Sequence, residues 1–260
     1  MIHNKIIKLI NSGSEIAGAA VAGALSSLAG DPAGSAAAAV GGVVIAKVIS
    51  KVGAELHDRF LGPREEARIG ATIAYAIERI KERLDEGESP RQDGFFDNNE
   101  SNRSSAEEVY EGALLKSKTA YEEKKIKHIG IFLGNVAFSP ELSAERANYY
   151  LNLVERLTYR QLKLLVVINR GKEFGLRTSS LVNQRVNPEE WSLLQELNEL
   201  HNLSLLRQLT EKRDLDLFWG LGAIKPGRME LTRLGLDMVE YFDLNKIPRS
   251  ELVNVIDMLK

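Results

Sequence analysis

Residues 18–44, GAAVAGALSSLAGDPAGSAAAAVGGVV, consist almost wholly of Ala, Gly, Ser and Val, with one charge at Asp31. Side chains this small bury little apolar surface, but they let two helix backbones approach closely. A single transmembrane span is excluded: Asp31 near its centre costs roughly 2.5–3.5 kcal/mol, whereas Ile16, Val21, Leu25 and Leu28 together return only about 1–2 kcal/mol. Two helical arms hinged at Gly30, Asp31 and Pro32 fit better, because the acid then sits in a turn where Gly and Pro belong. Each arm has only about fifteen uncharged residues, roughly 22 Å of helix against about 30 Å of hydrocarbon. Insertion therefore needs a thinned bilayer, or snorkelling by Lys47 and Lys51.

Ala19, Gly23 and Ser27 fall on one stripe of the first arm, and Ala38, Gly42 and Ala46 on one stripe of the second. Gly18, Gly34 and Gly41 add further points where a hairpin can zip or a second copy can pack. Lys5 and Lys8 precede the first arm, and Lys47, Lys51 and Arg59 follow the second, as expected if both ends stay cytoplasmic. The same residues also suit an Ala-rich pair packed inside a soluble bundle, and the stretch alone does not separate the two readings. Early lysines followed by small residues superficially resemble a signal peptide, but Glu15 interrupts the run and no leucine-rich core follows, so a cleaved signal is disfavoured.

Five zones follow along the chain. Residues 1–61 form the Gly/Ala-rich hairpin with an amphipathic extension, in which Val44, Val48, Ile49, Val52, Leu56 and Phe60 keep helical spacing to about Phe60. Gly62 is expected to close that helix with a left-handed turn, and Pro63 to open the next. Residues 62–87 read as a charged connecting helix with Ile69, Ile73, Ala76, Ile77, Ile80 and Leu84 on one stripe. Residues 88–103 read as a polar linker in which Phe95 and Phe96 either anchor the loop or meet a partner. Residues 104–170 form a helical array, opened by a Ser104 or Ser105 cap on a helix running to about Lys125 and including a segment capped by Thr158.

Residues 171–260 change character. Asn187 caps a helix with Pro188 at its first position and Glu190 expected to close a capping box. A Lys225-Pro226-Gly227 turn, a short strand MELT, a helix begun by Thr232 and a last amphipathic helix follow. Helix, helix, hairpin, helix is winged-helix order. The fold class expected is thus mainly α: an N-terminal helical hairpin, a central array and a C-terminal winged-helix-like module.

Affinity for nucleic acid requires cations along the recognition helix and wing. The presumptive recognition helix instead carries Glu189, Glu190, Glu196 and Glu199, which leaves Lys225, Arg228 and Arg233 as the basic group able to touch a backbone. The formal net charge of −2 adds no general pull toward polyanions. A module of this order used for protein contact fits better than one reading a DNA sequence.

No catalytic constellation emerges. The chain has no cysteine, so disulfides, thiolate metal sites and thiol nucleophiles are absent. His3, His57, His128 and His201 lack any neighbour at a metal-ligand spacing, and no P-loop, G-x-S-x-G or dinucleotide fingerprint occurs. The Glu107-Glu108 and Glu122-Glu123 pairs suit solvated helix faces. No cofactor, metal or enzymatic activity is expected.

The order LGPREEARIGATIAYAIERIKERL, AEEVYEGALLKSKTAYEEKKIKHIGIFLGNVAF, LTYRQLKLLVVI and a late MELTRLGLDMVEYF resembles a group of poorly characterised bacterial helical proteins. More loosely, a helical array with an LTxxG end is similar to the abortive-infection alpha family of phage-defence proteins. The likeness spans about residues 62–245 and rests on pattern; it implies a prokaryotic defence role but supplies no catalytic residues. The expectation is an antiviral effector, cytoplasmic and conditionally associated with the inner membrane, whose partners are lipid, copies of itself and a protein partner or trigger. The alternative is a soluble winged-helix DNA-binding regulator or protein adaptor.

Overall fold

The computed structural model describes residues 36–57, 62–98, 102–182, 184–209 and 220–260. Among them the protein is mainly helical, with one two-stranded antiparallel sheet. The chain divides into two compact units between Arg156 and Leu157.

The first unit contains α1 (Ala36–His57), α2 (Pro63–Asp85), α3 (Ser105–Thr119), α4 (Glu123–Val136) and α5 (Ala144–Arg156). The connecting helix of the sequence reading is its centre: α2 packs against α1, α3 and α4. The expected stripe Ile69, Ile73, Ala76, Ile77 and Ile80 is buried, and so are Ala71, Ala74 and Tyr75, which meet Ile126 of α4. A helix buried on more than one face needs small residues on the second. At the α2–α4 crossing they belong to α4. A Cβ built on Gly130 would sit 2.5 Å from the Thr72 carbonyl oxygen and 2.6 Å from Tyr75 Cβ, and one on Gly134 would sit 2.7 Å from Arg79 Cβ. Glycine at this i, i+4 pair therefore sets how closely α2 and α4 approach.

Three boundaries differ from expectation. Gly62 is extended, at φ −72° and ψ 154°, and serves as the N-cap of α2, with its amide donating to Glu65 at 2.9 Å. The helix begun at Ser104 stops at Thr119 instead of continuing to about Lys125, and α4 starts afresh at Glu123. At that end the Ser117 and Thr119 hydroxyls bond back to carbonyls of the preceding turn, the local competition that makes such residues weak helix continuers. The Ser104 cap itself is present, its hydroxyl accepting from the Glu107 amide at 3.1 Å.

The linker is pinned to this unit. Phe95 is buried, Phe96 packs edge-on against it at 5.2 Å, and Arg91 lies over the Phe95 ring at 4.1 Å. The buried Arg91 guanidinium donates to the Leu142 carbonyl, in the connection between α4 and α5, at 2.8 Å and to Asp93.

The second unit contains α6 (Tyr159–Asn169), α7 (Gly171–Phe174), α8 (Pro188–Asn202), β1 (Leu206–Gln208), β2 (Met229–Leu231), α9 (Arg233–Tyr241) and α10 (Arg249–Met258). Thr158–Asn169, grouped with the array in the sequence reading, packs here: α6 meets α8, β2, α9 and α10 and buries an unbroken run from Leu164 to Ile168. Thr158 and Gln161 form a reciprocal cap at its start. Strands β1 and β2 pair Leu206 with Leu231 and Gln208 with Met229. The Thr232 hydroxyl caps α9 by accepting from the Gly235 amide at 3.1 Å.

Candidate functional site

Of the residues assigned to the N-terminal hairpin, Gly18, Ala19, Gly23, Gly30, Asp31, Pro32 and Gly34 lie outside the described residues. Ala38, Gly41 and Gly42 lie on α1, and Gly42 is buried. The far half of α1 is part of the core, since Ile45, Val48, Ile49, Val52 and Leu56 are all buried where α1 meets α2 and α3. Lys47, Ser50, Lys51, Ala54 and Glu55 face outward, so the amphipathic extension covers the unit with one face and meets solvent with the other. Lys51 Nζ reaches the buried Glu107 carboxylate in the first turn of α3 at 2.8 Å. Glu107 thus does not face solvent, contrary to the expectation for the Glu107-Glu108 pair. It lies in the first turn of α3, and Lys51 pairs with it from α1. Spacing along one helix could not show this, because the partner lies on another helix.

No helix among the described residues is long and apolar enough to cross a membrane. Lys47, Lys51 and Glu55 interrupt α1.

Of the three basic residues expected to form a contact surface, Lys225 is buried, Arg228 is half-buried and Arg233 is exposed. Arg233 Nε lies 2.8 Å from Oδ1 of the buried Asp237, one helical turn on. A phosphate-neutralising patch needs cations that share exposure, and these three do not.

Helix α8 does begin with the Asn187 cap, its side chain accepting from the Glu190 amide at 2.8 Å. The Glu190 carboxylate, however, does not close a capping box; it reaches Arg177 at 3.0 Å. The Arg177 side chain is buried, its Nε and Nη2 have no hydrogen-bond partner, and burial lowers its pKa while Glu190 opposes that shift. The main chain around Arg177 is tied in as well: its amide donates to Leu259 and its carbonyl accepts from Gly227.

A cleft of about 380 Å³ lies between the outer face of α8 and the sheet. Gln195, Asn198 and His201 of α8 and Gln208 of β1 supply polar groups, and Leu221 and Met229 supply apolar surface. The sequence signal for it was weak, an amide-rich helix face in NPEEWSLLQELNELHN that reads equally as solvated surface.

Among the described residues no group of three His, Cys, Asp or Glu side chains could hold a metal ion. His128 is buried on α4 and His201 exposed on α8. No protein-family model, no curated protein and no solved structure matches the chain.

Proposed function

We propose that the protein is a non-enzymatic bacterial effector of the abortive-infection type, which acts at the inner membrane through its Gly/Ala-rich N-terminal hairpin. The observation that carries this reading is the grafting of α1. Its far half is locked into the first unit by five buried apolar residues and the Lys51–Glu107 pair, while the same helix extends back to Ala36, into the Gly/Ala-rich stretch. A membrane-active segment needs such a rigid root if a change in the protein is to be transmitted to it. Its weak hydrophobicity suits conditional association, with the protein cytoplasmic until triggered and self-association supplying the close packing that small residues allow. The second unit then serves as a winged-helix-like module for a protein partner or trigger. The burial of Lys225 and the pairing of Arg233 argue against the DNA-binding alternative.

The test is overproduction in bacterial cells with membrane potential recorded and soluble and membrane pools separated. The full chain is expected to depolarise the membrane and enter the membrane pool. A chain lacking residues 1–35 keeps the packed half of α1 and is expected to do neither, as is the Ala19→Leu, Gly23→Leu double variant. Gly42 is unsuitable for this test because it is buried in the folded unit. An unchanged membrane potential on overproducing the full chain would falsify the proposal.

A further inference from the structure

We infer that the cleft between α8 and the sheet binds a neutral heteroaromatic base, free as a nucleoside or carried on a single strand. The inference goes beyond the membrane reading and does not rest on it. The polar side of the cleft is made of three carboxamides, Gln195, Asn198 and Gln208, and the imidazole of His201. None of the described lining residues is Asp, Glu, Lys or Arg. Those described residues offer no ion pair to a phosphate or a carboxylate. What they offer is donor and acceptor side by side, since each carboxamide presents an N–H and a C=O in one plane, the pairing that reads the edge of a purine or pyrimidine. Gln195 spends one amide hydrogen on Glu199, at 3.4 Å.

Apolar side chains lie among these polar groups, Met229 being the cross-strand partner of Gln208, and they suit the face of a ring rather than its edge. Leu221, Ile224 and Met229 are apolar, and a methionine sulfur makes favourable contacts with aromatic rings. The cleft is at the small end of the range for small-molecule sites, about 300–1,000 Å³. Its polar groups come from a helix and a strand that are fixed independently: α8 by the Asn187 cap and the burial of Leu193, Leu194, Leu197 and Leu200, and β1 by its pairing with β2. The backbone that carries the recognition groups is therefore fixed before a ligand arrives, which lowers the ordering cost of binding.

Equilibrium dialysis or calorimetry on the full chain, with adenosine, guanosine, cytidine and uridine, tests this directly. Saturable binding of at least one nucleoside is expected, unchanged when salt is raised from about 50 to 500 mM because no charge pairing contributes. Asn198→Ala and Gln208→Ala should each weaken it about tenfold. Asn198→Asp keeps the shape but replaces two donors with a charge, and it should weaken binding as much while the unfolding midpoint stays unchanged. Short single-stranded oligonucleotides form the second arm. If they bind more tightly than the nucleoside and lose only that excess in high salt, the base comes from nucleic acid; if they bind no better, it is a free nucleoside. Absence of saturable binding by all four nucleosides overturns the inference, as does binding that the three variants leave intact.

Discussion

The two units each enclose a central helix, α2 in one and α6 in the other, but they close around it by different means. Around α2 the work is done by helix spacing: Gly130 and Gly134 bring α4 against Thr72, Tyr75, Ala76 and Arg79 so closely that a side chain would not fit. Around α6 the neighbours include a short sheet and irregular chain, and these are tied by backbone hydrogen bonds and one buried ion pair. The Gly227 amide donates to the Arg177 carbonyl, the Leu181 amide to Gly222, the Arg177 amide to Leu259, and Arg177 meets Glu190. The first arrangement tolerates loss of polar contacts and fails when volume is added. The second fails when a polar tie is cut, and it has no more room for added volume where Gly227 and Gly235 meet backbone, since a Cβ there would sit 2.4 Å from the Leu176 carbonyl oxygen and 2.2 Å from that of Leu205.

The largest effect should come from adding volume at the α2–α4 crossing. Gly130→Leu must push the two backbones apart and is expected to cost about 3 kcal/mol or more, read as a lower urea midpoint. The control lies in the same unit. A Cβ on Gly53 of α1 would meet only Ile73 Cδ1, at 3.6 Å, which is ordinary contact. Gly53→Ala should therefore stabilise by about 0.5–1 kcal/mol through helix propensity and a less flexible unfolded chain. If Gly130→Leu behaved like Gly53→Ala, close approach would not be what organises the first unit.

Small residues spaced four apart are legible in the sequence as a means of close helix approach at Ala38, Gly42 and Ala46, whereas Gly130 and Gly134 do not stand out from the isoleucines around them. Both sets keep the same period. What distinguishes them is the facing helix, and nothing local to IGIFLGN names Ala76 as its neighbour. The stripe of α2 was legible because isoleucines mark it. Its second buried face was not, since Ala71 and Ala74 are neutral in a hydropathy pattern. In the second unit the cap residues Thr158, Asn187 and Thr232 were legible, because a cap is a local event within three residues. The role of Glu190 was not. The same residue at N3 can reach back to its own cap or across to a guanidinium thirteen positions upstream, and only the fold decides.

Cutting the polar tie is the next largest effect. Glu190→Gln leaves the Arg177 guanidinium buried without its counter-charge and should cost about 2–3 kcal/mol. Arg177→Met removes the charge that is expensive to bury and leaves Glu190, about a fifth of its side chain exposed, able to reach solvent. It should therefore cost clearly less than Glu190→Gln, about 1 kcal/mol. Equal costs for the two variants would mean that hydrogen bonding at Glu190, rather than burial of the cation, carries the tie. Cap removal should match the smaller of the two: Ser104→Ala in the first unit and Asn187→Ala in the second should each cost about 1 kcal/mol, without distinguishing the units.

Alkaline titration gives the smallest effect and still separates them. Burial pushes the Tyr75 phenol up to about 12 and the Tyr110 phenol higher still, whereas Tyr159 in the second unit is raised by burial together with the Glu251 carboxylate, which its hydroxyl meets at 3.1 Å. An unfolded tyrosine loses its proton near pH 10, and these folded ones hold theirs to higher pH. Their contribution is thus fully present below about pH 10 and is lost as pH rises toward the folded values. At neutral pH, Tyr110→Phe gives up the bond from its hydroxyl to the Leu133 carbonyl and should cost about 0.5–1 kcal/mol. Above pH 10 the order should invert, because the variant no longer carries the phenol whose ionisation pulls the unfolded state away. For Tyr159→Phe the same inversion should weaken when Glu251→Gln is combined with it, since part of the Tyr159 shift comes from that carboxylate. Tyr110 has no such partner, so Glu251→Gln should leave the Tyr110→Phe crossing point where it was; movement of both crossing points together would show that the two units do not resist alkali separately.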